Sequence, residues 1–537
     1  MIVPRIVRAV VVLTLLAVIG AGLFVNSVTP PAAARSQAEG EPVQGGVLRL
    51  ALGEEPDQLD PARTISLTAS EVMQVVYDRL VYIDDEGLPQ PWIAESWEIS
   101  DDGKTISFTI REGMKFHDGT DVDANAVKFT YDRILDPEMA APYKSFVETL
   151  ESVDVPDART AVFTFSEPYA PFFTNSTIIG IVSPAAVEQF GDDFGHNPVG
   201  SGPFMFREWQ PGTKIVFDRN PDYVNPRMDD TNKGPAYVDS LEYNIIGEAA
   251  TRTAAFENQE LDLLDVPFED VARLQETPGV AIVSLTEPNN FNYVEFSDRE
   301  PFNNVAFRQA INYAIDRDAI VEFSYLGQAT ANQCPLPVGN AAYDADLCAE
   351  HGYTYDLEQA RAKLAEAGLT DGDGNGYVEM DGEELGVTLW SYTGFPERER
   401  AQEIMQAAFD EIGLRTEIQS VDFGALQPMM ESGETGMDYM RWTLVDQSIL
   451  SSLFLSPGWT GQTNEPELDE LLTVANTTVD PEARLEASYA AMVYILQNAL
   501  VAPIASDWIN VAVHDNVQNY HWDALNIPRL NDVWLAQ

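Results

Sequence analysis

Across 537 residues the chain carries 86 acidic against 31 basic side chains, a net charge of −55, with 45% hydrophobic and 10% aromatic residues. That apolar content supplies sizeable cores and argues against a disordered chain, and the length exceeds one ordinary domain of about 150 residues, pointing to roughly three. The charge argues against nucleic acid or an anionic membrane surface as a partner, because both need Lys and Arg to meet phosphate, and only 7 of the basic residues are Lys.

The N-terminal 44 residues read as an export leader and linker. Arg5 and Arg8 precede an apolar run of 17 residues, 9–25, and Ala32-Ala33-Ala34 offers a small-residue cleavage site before a polar stretch through Gly45. The run suits a cleaved signal or an uncleaved anchor, and either one places the protein outside the cytoplasm. No Cys lies near it to carry lipid, and no later segment is apolar for long enough to cross a bilayer. Contact with a membrane is therefore expected only through the leader or a membrane-bound partner.

GGVLRLALGEEP then alternates apolar and polar residues, as a half-buried strand does. Residues 70–80 (SEVMQVVYDRL) have helical spacing with Ser70 as N-cap. TISFTIREGMKFHDG is a strand followed by a turn, and 123–134 (DANAVKFTYDRI) is a helix capped by Asp123. RTAVFTFSEP is another alternating strand. Residues 305–323 (VAFRQAINYAIDRDAIVEF) read as one long amphipathic helix. Two more helices, 357–367 and 398–412, are closed by Gly368 and Gly413. Each is followed by a strand, GVTLWSY and RTEIQSV, which implies crossover connections in an α/β lobe. The last clear helix spans 481–500.

Two cysteines, Cys334 and Cys348, stand 14 residues apart, and in an exported chain they read as a disulfide or as two buried thiols. The stretch TDGDGNGYVEMDGEE, 370–384, has the first half of a calcium loop. Asp371, Asp373 and Asn375 hold positions 1, 3 and 5, Gly376 allows the turn, and the Tyr377 carbonyl falls at position 7. Position 12 is Gly382, with Glu383 one residue late and Glu379 at position 9 as a weaker substitute. The residues admit a structural calcium or a metal-free Asp/Gly turn, with Asp381-Gly382 as a hairpin turn.

Catalytic signatures are missing. The five His form no HExxH pair, GxSxG and P-loop patterns are absent, and Gly200-Ser201-Gly202 in NPVGSGPF reads as a backbone turn. His117 in KFHDG reads as structural. A cleft for a small polar ligand fits better, and DYMRWTLVDQS, 438–448, offers Arg441 for a carboxylate, Trp442 for a ring face and Asp446 for an amine.

Five blocks, in order, resemble the family 5 extracellular solute-binding proteins, the peptide, nickel and sugar receptors of ABC importers. They are GGVLRLALGEEPDQLDPA at 45–62, the segment 76–137 from VYDRLVYIDD to YDRILDP, NPVGSGPFMFREWQPGTKIVFDRNPDYV at 197–224, PFNNVAFRQAINYAIDRDAIV at 301–321 and LEQARAKLAEAGL at 357–369. The resemblance implies an α/β, two-lobed, periplasmic-binding-protein-like fold (type II, cluster C-like) with an extra inserted domain. Lobe I would comprise 45–66, 196–290 and 507–537, the insert 67–195, and lobe III 291–506. The lobes would close on ligand by hinge motion near 289–294 and 505–509.

It further implies a substrate receptor for a peptide or similar oligomer, monomeric, partnered by permease subunits and needing no cofactor. An oligosaccharide or a nickel chelate would be the alternative ligand. An exported metal-dependent hydrolase is the reading from outside the class. Peptide-binding members carry an Arg, an aromatic and an Asp that pairs with the peptide's α-amino group in the segment matching 438–448. Anchored on Arg441, the Asp position falls on Gln447, with Asp446 one residue early. The aromatic position falls on Leu444, with Trp442 two places before it. Gln and Trp suit an oligosaccharide or uncharged ligand better than a free N-terminus. The same comparison brings Tyr392 and Phe395, Glu295, Thr68 and Ala69, and more loosely Trp459, to the cleft. A free nickel ion wants imidazole, and these segments hold no His.

Overall fold

The structure, a computed structural model, describes residues 40–536 apart from 65, 85, 148, 444 and 445. The apolar leader run and Leu444 therefore lie outside the described residues. The fold is mixed α/β in two lobes, and the smaller lobe gathers distant parts of the chain. Its four-stranded sheet places Val47–Leu52 parallel to Ser240–Ile245, followed by Lys214–Arg219 and Phe204–Gln210 in antiparallel order. A three-stranded sheet beside it centres Asn510–His514 between Leu263–Asp265 and Val280–Ser284. The alternation expected of GGVLRLAL is realised: Leu48, Leu50 and Leu52 point into a core with Phe217, Leu241, Tyr243 and Val511.

Between these segments the chain builds an antiparallel four-stranded sheet of its own, in the order Ala94–Ile99, Thr105–Ile110, Thr160–Phe165, Leu150–Asp157. The helix Ala124–Leu135 covers it, started by Asp123, whose carboxylate accepts from the Ala126 amide at 3.0 Å. Tyr131 meets Phe163 edge-on at 4.8 Å, and Phe163 meets Phe108 at 5.3 Å, so aromatic packing fills this core. The preceding helix is Leu67–Val76. Its cap is Ser66 rather than Ser70, because Ser66 Oγ is the atom that accepts from the Ala69 amide, at 3.4 Å.

The Gly200-Ser201-Gly202 turn welds this sheet to the smaller lobe. A Cβ on Gly200 would collide with the Val76 carbonyl, so the glycines permit a close backbone approach rather than an unusual φ. Ser201 Oγ donates to Asp78 Oδ2 at 2.9 Å, and Tyr223 OH donates to Asp78 Oδ1 at 3.0 Å. Ser201 is thus a buried donor. From the other side His117 donates its amide to the Gly200 carbonyl at 2.8 Å and sets Nε2 2.9 Å from the Gly202 carbonyl. His117 is structural, as its sequence context suggests.

The larger lobe is a six-stranded sheet lying wholly within 290–507, in the order Ala329–Ala331, Val501–Asp507, Asn290–Phe296, Met437–Thr443, Gly386–Tyr392, Arg415–Val421. Gly386–Tyr392 and Arg415–Val421 run parallel, with the helix Pro396–Glu411 as crossover. All seven residues of Val501–Asp507 are buried. Cys334 and Cys348 are joined as a disulfide beneath this sheet, with Cα atoms 5.2 Å apart. The single helix expected over 305–323 is broken. Val305–Ala314 ends at an extended Ile315, and Asp316 starts a new turn by accepting from the Ala319 amide at 3.0 Å. The break lets the buried Arg317 guanidinium reach the carbonyls of Pro503 at 2.7 Å, Asn332 at 3.1 Å and Tyr353 at 3.2 Å. A continuous helix would leave that charge unsatisfied.

Burial lowers the His117 pKa to about 4, against about 6.5 in an unfolded chain. The native state therefore refuses a proton that the unfolded chain accepts. Stability is intact above about pH 6.5 and falls as the pH drops toward 4, by on the order of 2–3 kcal/mol. His117→Gln should flatten that part of a pH-dependent denaturation series; an unchanged slope would assign the acid sensitivity to other groups.

Candidate functional site

The two lobes are joined where the chain leaves one sheet for the other, after Ser284 and after Asp507. Ser284 Oγ donates to Asn510 Oδ1 at 2.6 Å, tying the two connections together. Asp507, 2% exposed, accepts from Asn290 Nδ2 at 2.8 Å and Asn292 Nδ2 at 2.5 Å. Arg441 stands directly across from Asn292 in the strand pairing. Burial would lower the Arg441 pKa, but the Asp507 charge, with Tyr392, Tyr325 and Glu397 behind it, outweighs burial and holds it up. Among the described residues Arg441 has no hydrogen bond or ion pair, and its guanidinium carbon lies 5.9 Å from the Phe395 ring. It is a charged, half-exposed donor with its hydrogen-bonding capacity unspent.

Phe395 and Tyr392 meet edge-on at 5.3 Å, and Tyr392 meets Phe423 at the same distance. Arg398, 1% exposed, lies 4.0 Å above Tyr392 and 4.6 Å from Phe395, and none of its guanidinium nitrogens has a hydrogen-bond partner. The guanidinium faces the rings of Tyr392 and Phe395, so it holds the loop through cation–π attraction. Sequence reasoning passed over Arg398 within the charged run PERERAQE. It also passed over Asp507, although an acid closing the apolar run VAPIASD is a legible signal.

Trp442 and Trp459 come together edge-on at 5.4 Å. Trp459 Nε1 donates to Glu295 Oε2 at 2.9 Å, and Tyr293 OH donates to the same oxygen at 3.4 Å. Glu295 faces Asp438 across the paired strands. Burial, then the neighbouring Asp438 charge, keeps Glu295 well above the usual carboxylate range, and burial pushes Asp438 up to about 7. At neutral pH this pair carries protons, and Glu295 is already committed to Trp459.

Asp446 is committed as well. It accepts from Arg484 Nη2 and Nη1 at 2.7 and 3.1 Å, and from Thr174 Oγ1, in the short helix Phe172–Ser176 that follows the inserted sheet, at 3.3 Å. Burial would raise its pKa, but Arg484 outweighs burial and keeps it ionised. Gln447 is partly exposed, and its carbonyl accepts from the Leu450 amide at 3.1 Å. Thr68 and Ala69 are buried in the first turn of Leu67–Val76. There Thr68 Oγ1 donates to Glu54 Oε1 at 3.2 Å and the Ala69 amide donates to the Ser66 cap at 3.4 Å. The structure therefore gathers Arg441, Tyr392 and Phe395 on one side and Trp442, Trp459 and Glu295 on the other, while Asp446, Thr68 and Ala69 serve internal contacts.

In the 371–384 loop the acceptors face the loop's own amides. Asp371 accepts from Gly374 at 2.7 Å and Gly376 at 2.9 Å, Asp373 from Asn375 at 2.9 Å, and Asn375 Oδ1 from Tyr377 at 2.8 Å. Glu379 accepts from the Asp373 amide at 3.1 Å, and Asp381-Gly382 makes the expected hairpin turn with φ of 58° and 81°. Among the described residues the only group of three ligating side chains close enough for a metal is Asp230, His521 and Asp532. There Arg529 already grips Asp230 at 2.6 and 2.8 Å.

Residues 89–462 match the model of the bacterial extracellular solute-binding proteins, family 5, middle region. The glutathione-binding protein GsiB of Escherichia coli strain K12 is 26% identical over 490 residues, 88% of this chain and 91% of the relative. Among solved structures, the oligopeptide-binding protein AppA of Bacillus subtilis in complex with a nonapeptide superposes with a TM-score of 0.79 at 24% identity, over 93% of this chain and 100% of that one. NikA of Brucella suis in complex with Fe(III)-EDTA gives 0.80 at 22%, over 91% and 100%. At these identities the structures establish a shared fold.

Two outcomes follow from the site. Because Asp438 keeps its proton in the native state up to about pH 7 while an unfolded Asp releases it near 3.9, this group costs stability as the pH rises between those values. Asp438→Asn should melt higher than the parent at pH 8, by a margin that closes toward pH 4, in parallel thermal scans. For the loop, millimolar calcium added after chelation should leave the melting temperature unchanged; a rise that Asp373→Asn abolishes would assign it a calcium.

Proposed function

This chain belongs to the bacterial extracellular solute-binding proteins of family 5, and from that membership we propose that it is the extracytoplasmic receptor of an ABC importer for a peptide or peptide-like solute. Ligand is captured between the lobes by closure about the connections at Ser284–Asn510 and Asp507. The observation that carries the reading is Arg441, the cation beside Phe395 that retains unspent donors and Asp507 behind it. Such a group meets a ligand carboxylate in a partly desolvated cleft. Trp442, Trp459, Tyr392 and Phe395 supply the apolar wall that a small-ligand site needs.

The glutathione named for GsiB and the nonapeptide named for AppA fit a carboxylate-first ligand. Asp446, held by Arg484, is not free to meet an α-ammonium. An oligosaccharide stacked on the Trp442–Trp459 pair is the second reading, favoured by the same commitment of Asp446. The role is binding rather than catalysis: Ser201 and His117 serve structural bonds. The leader at 1–44 is proposed to export the protein, and permease subunits are its proposed partners. Among the described residues no helix is long and apolar enough to cross a membrane.

Tryptophan fluorescence titrated with glutathione, short peptides, oligosaccharides and nickel–histidine separates these readings. A peptide or glutathione should bind, and Arg441→Met should weaken it at least tenfold, about 1.4 kcal/mol or more. Silence to every class, or unaltered affinity in the variant, would sink the carboxylate-first assignment. Turnover of peptidase or glycosidase substrates, abolished by a chelator, would instead favour the hydrolase reading.

A further inference from the structure

The helix Pro396–Glu411 begins at the cleft wall, because its N-cap residue is Phe395, the ring beside Arg441. No side chain caps its first turn. The N-terminus of a helix carries a partial positive charge and favours anions. This turn also holds a buried cation. Arg398 is 1% exposed, and its Nε, Nη1 and Nη2 are each shielded from water without an acceptor. Its guanidinium carbon lies 4.6 Å from the Phe395 ring and 4.0 Å from the Tyr392 ring. Arg441 comes within 5.9 Å of the same Phe395 ring. One aromatic side chain of the cleft wall thus stands beside two guanidiniums, and neither makes an ion pair among the described residues.

The acids in the neighbourhood leave those cations unpaired. Asp507 accepts from Asn290 and Asn292. Glu399, in the first turn, is exposed and lines a separate groove with Glu403 and Glu417. Glu397, in the same turn, has its pKa raised, chiefly by burial, which disfavours its negative charge. Cation–π attraction offsets part of the cost of burying Arg398 but leaves its N–H donors without acceptors.

We propose that the turn at Phe395–Arg398 receives a second anionic group of the ligand, so that the cleft selects solutes carrying two carboxylates. This rests on the carboxylate anchor at Arg441 proposed above and adds the class of ligand to it. One carboxylate meets Arg441, and the other lies at the start of the helix beside Phe395. Arg398, shielded from water next to the two rings, acts on that second carboxylate through space, as a positioning residue. A unit charge about 10 Å away, at an effective dielectric of about 20, changes an affinity by roughly tenfold.

Calorimetric titration of the full chain with the tripeptides Gly-Gly-Glu and Gly-Gly-Gln tests this, since they differ only in the second carboxylate. Gly-Gly-Glu should bind roughly tenfold more tightly. Arg398→Met should bring that ratio close to one while Gly-Gly-Gln still binds, and Arg398→Lys should keep most of it. A residue that only packs the loop would lower both affinities together and leave the ratio unchanged. Equal affinities in the parent, or a ratio that survives Arg398→Met, would overturn the proposal while the Arg441 anchor stands. Should Arg398→Met fail to fold, the ratio in the parent decides alone. If neither peptide binds, the anchor at Arg441 falls and this proposal falls with it.

Discussion

The arrangement of the cleft turns on one buried carboxylate. Asp507 ends a fully buried strand where the chain passes between lobes, and two amides, Asn290 and Asn292, satisfy its oxygens. Neutral donors fix the position of the charge without cancelling it. The residual field offsets the cost of burial and holds the Arg441 pKa above its ordinary value. A direct Asp507–Arg441 ion pair would have consumed the arginine's donors. Holding the acid with amides instead leaves a guanidinium that is electrostatically anchored and chemically available.

The same problem, how to bury acids in a chain of charge −55, is solved in three ways elsewhere. Some are paired with arginine: Asp230 with Arg529, Asp446 with Arg484, Asp60 with Arg133 at 2.7 Å. Some are capped by neutral donors, as Ser201 and Tyr223 cap Asp78. Glu295 and Asp438 are set side by side, and their pKa values rise because burial disfavours the charged forms, with the Asp438 charge adding to the rise at Glu295. With 24 Arg and 7 Lys, planar bidentate pairing is available for the first class, and each arginine so used is withdrawn from the surface.

Local features were legible in the sequence because their causes are local. The strands Thr105–Ile110 and Thr160–Phe165 show period-two alternation, Asp123 caps its helix, and Gly368 and Gly413 close theirs with φ of 84° and 86°. The misread places have distant causes. The helix break at Ile315 serves Arg317, whose acceptors include Pro503, far along the chain. Asp446 reads as a free ligand acid until Arg484 and Thr174, 38 and 272 residues away, fold onto it. Ser66 and Ser70 are both acceptable caps by residue type, and only the path of the preceding loop decides between them. Periodicity reports which face is buried; it does not report what a polar side chain will meet there.

That Thr174–Asp446 contact also bears on how the lobes move. The segment 170–176, which follows the strand Thr160–Phe165, touches the larger lobe there and where the Ala170 amide donates to the Asn476 carbonyl at 2.8 Å. The smaller lobe touches it through Arg400 and Glu269 at 3.0 Å, a pair 31% and 46% exposed, through Phe268 against Tyr325 at 5.7 Å, and where Asn510 Nδ2 donates to Gln328 Oε1 at 3.3 Å. Exposed pairs of that kind contribute about 0–1 kcal/mol, and a single neutral hydrogen bond nets about 1. A ligand that bridges the lobes adds to these contacts, and it shifts the equilibrium only by what it gains in the closed form over the open one. The side chain of Arg441, with no hydrogen bond among the described residues, lies close to the two connections between the lobes, in the strand paired with Asn290–Phe296.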